Sequence, residues 1–248
     1  MKFVRFIVKS GMIVYNMIEC EIAEDYMGYR LIDTHSWSRY ETFRHFYDEV
    51  PCAVSMCDDI DVTELYKACK KSGVSFYISV LYAVAAVINA HDEFKMKAVD
   101  SPEYEFPMPA VYDRVDIAHN IFHESGESYT SAFTVYKSDF AEFSKNCRED
   151  IERAKRSNVQ AVPCGENVFE ASCIPWRHFT SVGVETEMYS LLPIVCWGKF
   201  REVGGRVMMP LSVQVNHASA DGFHIARFIN ETEKLCVEIA RKIANNMI

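Results

Sequence analysis

Apolar residues recur along this chain with two different periods, and their interleaving predicts an α/β protein. Residues 76–90 form a long apolar run without Gly or Pro, which predicts a buried helix. From 223 to about 243, Ile225, Phe228, Ile229, Leu235, Cys236, Ile239 and Ile243 recur at helical spacing, so one face of a final helix packs on a core. Asp61-Val62-Thr63-Glu64 reads as a capping box opening a helix to about Lys71, closed by Gly73. Residues 138–156 read as an exposed helix, and 37–47 as an amphipathic segment. Strand-like runs lie at 115–122, 129–136, 168–174, 179–184, 193–200 and 206–215, the last entered through a Gly204-Gly205 hairpin turn. Helices and strands alternate with no linker, repeat or low-complexity tract between them, which predicts a single α/β sandwich.

Composition narrows the class. The 248 residues are 49% hydrophobic and 25% charged, ordinary values for a globular protein with ample core. The formal net charge is −9 and Lys and Arg form no cluster, so nucleic acid is not an expected partner. Nine cysteines are scattered without a close Cys-x-x-Cys pair, which suits free thiols in a reducing cytoplasm. No apolar stretch approaches the roughly 20 residues that cross a bilayer. The first twenty residues lack the layout of a signal peptide, so a cytoplasmic location with no membrane partner is expected.

The candidate chemistry concentrates at Gln214-Val215-Asn216-His217-Ala218-Ser219-Ala220-Asp221-Gly222-Phe223-His224. His217 follows a strand and precedes a helix, and imidazole is a competent base near neutrality, with an unperturbed pKa of about 6.5. Small residues at 218–220 are expected to leave room for a substrate, and Gly222 to supply the conformation that leaves the turn.

Together with Pro210-Leu211-Ser212-Val213 before it and Ile225-Ala226-Arg227-Phe228-Ile229-Asn230 after it, this segment resembles the active-site signature of the chloramphenicol acetyltransferases. Their His-x-x-x-Asp-Gly core is shared with the dihydrolipoyl acyltransferases. The resemblance runs from about Gly28 to the last helix, which leaves residues 1–27 as an extension or an upstream start and 28–248 as one acetyltransferase domain. It implies a coenzyme A-dependent acyltransferase fold: a two-layer sandwich of a mixed sheet with helices on one face. It also implies acetyl-CoA as co-substrate, no metal, and a homotrimer with active sites at subunit interfaces. Chloramphenicol would be the hydroxyl acceptor.

Roles transfer residue by residue. His217 would be the general base, its second nitrogen held by its own backbone carbonyl. Ser172, in Ser172-Cys173-Ile174-Pro175-Trp176, would donate to the oxyanion. Asp221 would form a buried ion pair with Arg39, of Trp37-Ser38-Arg39, rather than a triad with His217. Trp176, Tyr77 and Phe200 match positions flanking coenzyme A, and Phe46, Val50, Cys52, Tyr129 and Ile194 match the acceptor pocket. His224 is read as structural. His217, Asp221 and His224 are all metal-ligand types, but their spacing makes a poor site.

The chain departs from the family pattern in several places. Asn216 replaces a histidine, and Cys196 stands where a threonine is common; a thiol bonds more weakly. In the acceptor pocket, His45 and Val182 replace larger apolar or aromatic residues, Glu170 replaces an uncharged residue and Asn120 a threonine. These changes leave two rivals: the same chemistry on another small hydroxyl acceptor, or a non-catalytic trimeric binding protein. With no lipoyl region ahead of the domain, a dihydrolipoyl acyltransferase is disfavoured.

Overall fold

The computed structural model describes residues 28–157, 165–184 and 190–247, so the extension expected at 1–27 lies outside the described residues. In chain order the elements begin with β1 (Tyr29–Leu31), α1 (Tyr40–Arg44), β2 (Ala53–Asp61), α2 (Thr63–Ser72) and α3 (Phe76–Ala90). Next come β3 (Met96–Val99), β4 (Met108–Tyr112), β5 (Asp116–His123), β6 (Ser128–Thr134) and α4 (Phe140–Arg156). The C-terminal part holds β7 (Val168–Ile174), β8 (Ile194–Gly198), β9 (Arg201–Val203), β10 (Arg206–Asn216) and α5 (Gly222–Ala244).

Six strands lie in the order β2-β10-β8-β7-β5-β6, with β9 folded back on β10. The β5–β7 and β7–β8 pairs are parallel and the others antiparallel, so this is the mixed sheet that the resemblance implies. β1, β4 and β3 form a separate small antiparallel sheet.

The helices cover one face of the large sheet. Alternate strand residues (Phe169 and Ala171 on β7, Val195 and Trp197 on β8, Val213 and Val215 on β10) are buried with Leu81 of α3, Phe143 of α4 and Phe228 of α5 in one cluster. Each large side chain so buried contributes about 1.5–3 kcal/mol of transfer free energy. α3 is apolar on all sides because it lies inside this layer, and Ser75 starts it by accepting from the Ile78 amide at 3.3 Å. The opposite face carries the other half of each alternation. Across β2, β10, β8 and β7, Cys57, Ser212, Cys196 and Ser172 form one row, and Ser55, Gln214, Ile194 and Glu170 the next.

Several sequence expectations are corrected. No strand forms at 179–184 among the described residues. The segment is held over the open face by side chains, with the Gln214 amide donating to the Val184 carbonyl at 2.7 Å and Ser212 Oγ to the Val182 carbonyl at 3.4 Å. The helix at 138–156 is amphipathic rather than exposed: Asp139 caps it, and Phe140, Phe143, Cys147 and Ala154 are buried. At α2 there is no capping box. Asp61 Oδ1 accepts from both the Thr63 amide, at 2.9 Å, and its hydroxyl, while Gly73 ends the helix at φ 76° as expected. Strand β2 carries no clear apolar alternation, because three aspartates interrupt it, as suits a sheet edge.

Candidate active site

His217 sits one residue beyond β10, where the chain turns into α5. Its amide donates to the Cys52 carbonyl at 2.9 Å, and its ring stacks on Phe46 with centroids 3.8 Å apart and planes 14° from parallel. Nδ1 lies 3.3 Å from the Ala220 carbonyl, not from its own carbonyl as the resemblance implies. A carbonyl only accepts, so this contact puts the proton on Nδ1 and leaves Nε2 with its lone pair free. The turn is fixed from beneath: Asn216 Oδ1 accepts from the Ala218 amide at 2.9 Å, and its Nδ2 donates to the Ser190 carbonyl at 3.4 Å. Ala218, Ser219 and Ala220 are buried, so they serve packing and not substrate space. Gly222 opens α5 without a positive φ, so the turn does not need its left-handed freedom.

Asp221 holds the other side of the turn. It accepts from Arg39 Nη1 at 2.6 Å, as the resemblance implies, but the two side chains keep 21% and 32% of their exposure, so the pair is half-buried. Asp221 also caps α5 by accepting from the Phe223 amide at 3.0 Å, and His224 Nδ1 completes a capping box at the Asp221 amide at 3.1 Å. Burial raises the Asp221 carboxyl, but the hydrogen bond from Arg39 and the charges of His224 and Arg39 outweigh it and hold the group below the usual carboxylate range. His224, read from the sequence as structural, has its Nδ1 turned to the Asp221 amide and carboxylate at the start of α5. Among the described residues, no three His, Cys, Asp or Glu side chains are grouped to hold a metal ion.

Ser172 faces a different space. It lines a cavity of about 380 Å³ with Cys196, Tyr129, Ile194, Val182 and Glu170. Burial, and after it the charge of Glu170, pushes the Cys196 thiol up to about 11, so it is neutral at pH 7. Asn120, also in this wall, accepts from Ser131 Oγ at 3.2 Å. Strands β5 and β7 pair only as far as His119 and Ala171, so they part beside Asn120 and Ser172.

Across the sheet from Ser172 lies a larger, mostly apolar cavity of about 470 Å³. Trp176, Tyr77 and Phe200, the residues matched to coenzyme A contacts, all line it, with Lys155 and Lys199 among its walls. Trp176 is exposed and packs edge-on against Phe122 at 4.6 Å. Tyr77 contributes its ring only, because its hydroxyl is turned to His119 Nδ1 at 2.9 Å. Gly198 is required here, since a Cβ would stand 2.7 Å from Phe179 and 2.9 Å from the Arg177 carbonyl. Sequence reasoning missed His119, whose full burial pushes its imidazole down to about 4, and Lys155; neither carried a motif.

The anticipated site is thus split within one chain. Phe46 and Cys52 flank His217, and Val50, half-exposed, ends the π-helical turn His45–Glu49 beside them. His45 itself bonds outward, its Nδ1 2.7 Å from Glu49. Tyr129 and Ile194 belong instead to the Ser172 cavity. Ser172 lies two strands from Ser212, about 10 Å, and His217 lies five residues beyond Ser212, about 16 Å along β10. His217 and Ser172 of a single chain cannot meet on one small substrate.

A family model described as chloramphenicol acetyltransferase matches residues 27–233. A chloramphenicol acetyltransferase of Campylobacter coli is 36% identical over 213 residues, covering 84% of this chain and 99% of its own length. Chloramphenicol acetyltransferase 3 of Escherichia coli is 34% identical over 215 residues, covering 85% of this chain and 98% of its own. Among solved structures, a chloramphenicol acetyltransferase aligns with a TM-score of 0.70 at 24% identity, covering 85% of this chain and 98% of that one. A dihydrolipoamide acetyltransferase of Azotobacter vinelandii aligns at a TM-score of 0.57 and 18% identity, over 82% of this chain and 88% of that one. At these identities the two solved structures speak for the fold alone.

Proposed function

The chain belongs to the chloramphenicol acetyltransferase family of acyltransferases, and from that premise we propose that it moves the acetyl group of acetyl-CoA onto a hydroxyl of chloramphenicol. Transfer is direct, within a ternary complex, in the cytoplasm, and residues 28–248 act as one domain. The observation that carries the reading is the split site. One rim presents a base with a free Nε2 stacked on Phe46, and a distant cavity presents Ser172 backed by an apolar space. A second copy of the chain brings one rim to the next cavity, and a closed ring of three satisfies every site. The lining of the larger cavity suits the co-substrate: Trp176 and Phe200 for the apolar arm of the thioester, Lys155 and Lys199 for phosphate.

His217 Nε2 takes the acceptor's hydroxyl proton as the acceptor oxygen bonds to the acetyl carbonyl carbon. Ser172 Oγ donates to the carbonyl oxygen as negative charge gathers there. The carbon–sulfur bond then breaks, the imidazolium returns its proton to the sulfur, and an ester and a free thiol leave. Arg39 and Asp221 hold the turn that aims the imidazole. The test is thiol release from acetyl-CoA with chloramphenicol as acceptor. Wild type should release thiol only when acceptor is present, and His217→Ala should lose roughly 10²–10⁴ of that rate. A well-folded wild type that releases none rejects chloramphenicol as the acceptor.

A second reading keeps the chemistry and changes the acceptor. The observation favouring it is the polar set Glu170 and Asn120 in the wall beside Ser172.

A further inference from the structure

Glu170 is the feature of the open sheet face that the transfer chemistry leaves without a role. It precedes Ser172 by two residues on β7, so both side chains leave the same face with Cα atoms about 6.6 Å apart. Its cross-strand neighbours, Ile194 and Ala118, are apolar and offer it nothing. Glu170 lines the Ser172 cavity and also an adjoining one of about 150 Å³ beside Gln214 and Ser190. Neither wall contains a Lys, Arg or His, so the exposed Glu170 is the only charged residue that its own chain turns toward either space among the described residues, and what the next copy brings there is the His217 rim. No hydrogen bond or ion pair reaches its carboxylate among them either. The nearest polar pair, Asn120 and Ser131, is occupied with itself at 3.2 Å. The charge is felt locally, since after burial it is the next largest influence raising the Cys196 thiol.

A lone carboxylate on a concave, mostly neutral wall draws cations from solution and repels anions. We propose that Glu170 selects an acceptor bearing a positively charged nitrogen, a small amino alcohol whose hydroxyl lies beside the acetyl carbonyl held at Ser172, within reach of the next copy's His217, and whose ammonium lies at Glu170. The inference rests on the acyl-transfer reading above and narrows its substrate. One pleat repeat between the two side chains suits a nitrogen and a hydroxyl a few bonds apart. Glu170 makes and breaks no covalent bond: it accepts hydrogen bonds from the ammonium, while the hydroxyl proton still passes to His217. A charge-assisted hydrogen bond of this kind is among the stronger polar contacts a pocket can make.

Chloramphenicol and its deacylated aminodiol test this directly, because they share both hydroxyls and differ in whether the nitrogen is a neutral amide or a free amine. kcat/KM is measured on each for wild type, Glu170→Gln and Glu170→Asp, with the O-acetyl product identified by mass spectrometry and binding of each followed by calorimetry. The ratio of aminodiol to chloramphenicol kcat/KM should fall roughly tenfold or more in Glu170→Gln, and Glu170→Asp should retain most of it. Transfer with the same ratio in wild type and Glu170→Gln overturns the inference and leaves acyl transfer standing. So does a wild type that acetylates chloramphenicol but does not bind the aminodiol. If wild type acetylates neither, yet binds the aminodiol more tightly and loses that advantage in Glu170→Gln, selection of a cation stands and the transfer reading falls.

Discussion

The covered and open faces of the large sheet are made by alternate residues of the same strands, and they do different work. On β7, Phe169 and Ala171 lie fully buried beneath helices, while Glu170 and Ser172 point the other way into a cavity. On β8, Trp197 packs inward and Cys196 lines that cavity. A period-two chain sends neighbouring residues to opposite faces, one toward the packed core and the apolar cavity beside it, the other toward the Ser172 cavity. Neighbouring substitutions should therefore fail in different assays.

The largest effect is expected on the covered face. Phe169→Ala removes a fully buried ring and should cost about 3–5 kcal/mol in urea unfolding, while the fraction that stays folded keeps its activity. Ser172→Ala, three residues on and on the opposite face, should lower kcat by roughly 10²–10³ and leave the unfolding midpoint where it was. A shared loss of stability in both variants would break the division between the faces.

The turn between the two regions should show an intermediate response. Asp221→Asn removes the ion pair with Arg39 but keeps a capping residue, and because the pair is half-exposed the expected loss is about 1–2 kcal/mol, between the buried and surface limits. The Asp221 carboxyl is held below its ordinary range, so its contribution is fully present above the unfolded value of about 3.9 and is lost as pH falls through the lower folded value. Unfolding measured from pH 6 downwards should show wild type losing stability below about pH 4, and Asp221→Asn losing less. The smallest effect sharpens the comparison within the open face. Cys196→Thr exchanges a neutral thiol for a better hydrogen-bonding group beside Ser172 and should raise kcat a few-fold, about 1 kcal/mol or less, with little change in melting temperature.

Much of this architecture was legible along the chain. Residues 76–90 and the α5 stripe were long enough for periodicity to decide them, and Gly204 and Gly205, at φ 58° and 79°, marked the β9–β10 hairpin. His217, Ser172, Arg39 and Asp221 stand in short motifs in register with the family, and the structure pairs Arg39 with Asp221. The segment 179–184 looked like a strand because its composition is right, but its backbone is held by Gln214 and Ser212 side chains instead of a ladder. Strand β2 has no legible strand pattern because its aspartates serve an edge: Asp59 bonds to His178 and Arg201 at 2.9 Å, and Asp61 serves α2. His217's tautomer partner also differs, Ala220 in place of its own carbonyl.

The sequence alone determined the mixed α/β class, the family and the residue types available for acyl transfer, because periodicity and short motifs are local properties of the chain. Only the tertiary structure decided which of those residues share a space. Sheet order set Ser172 beside Cys196, and placed His217 two strands away and far along β10. Strand register is chosen by contacts between residues remote in sequence, and no local pattern carries that choice.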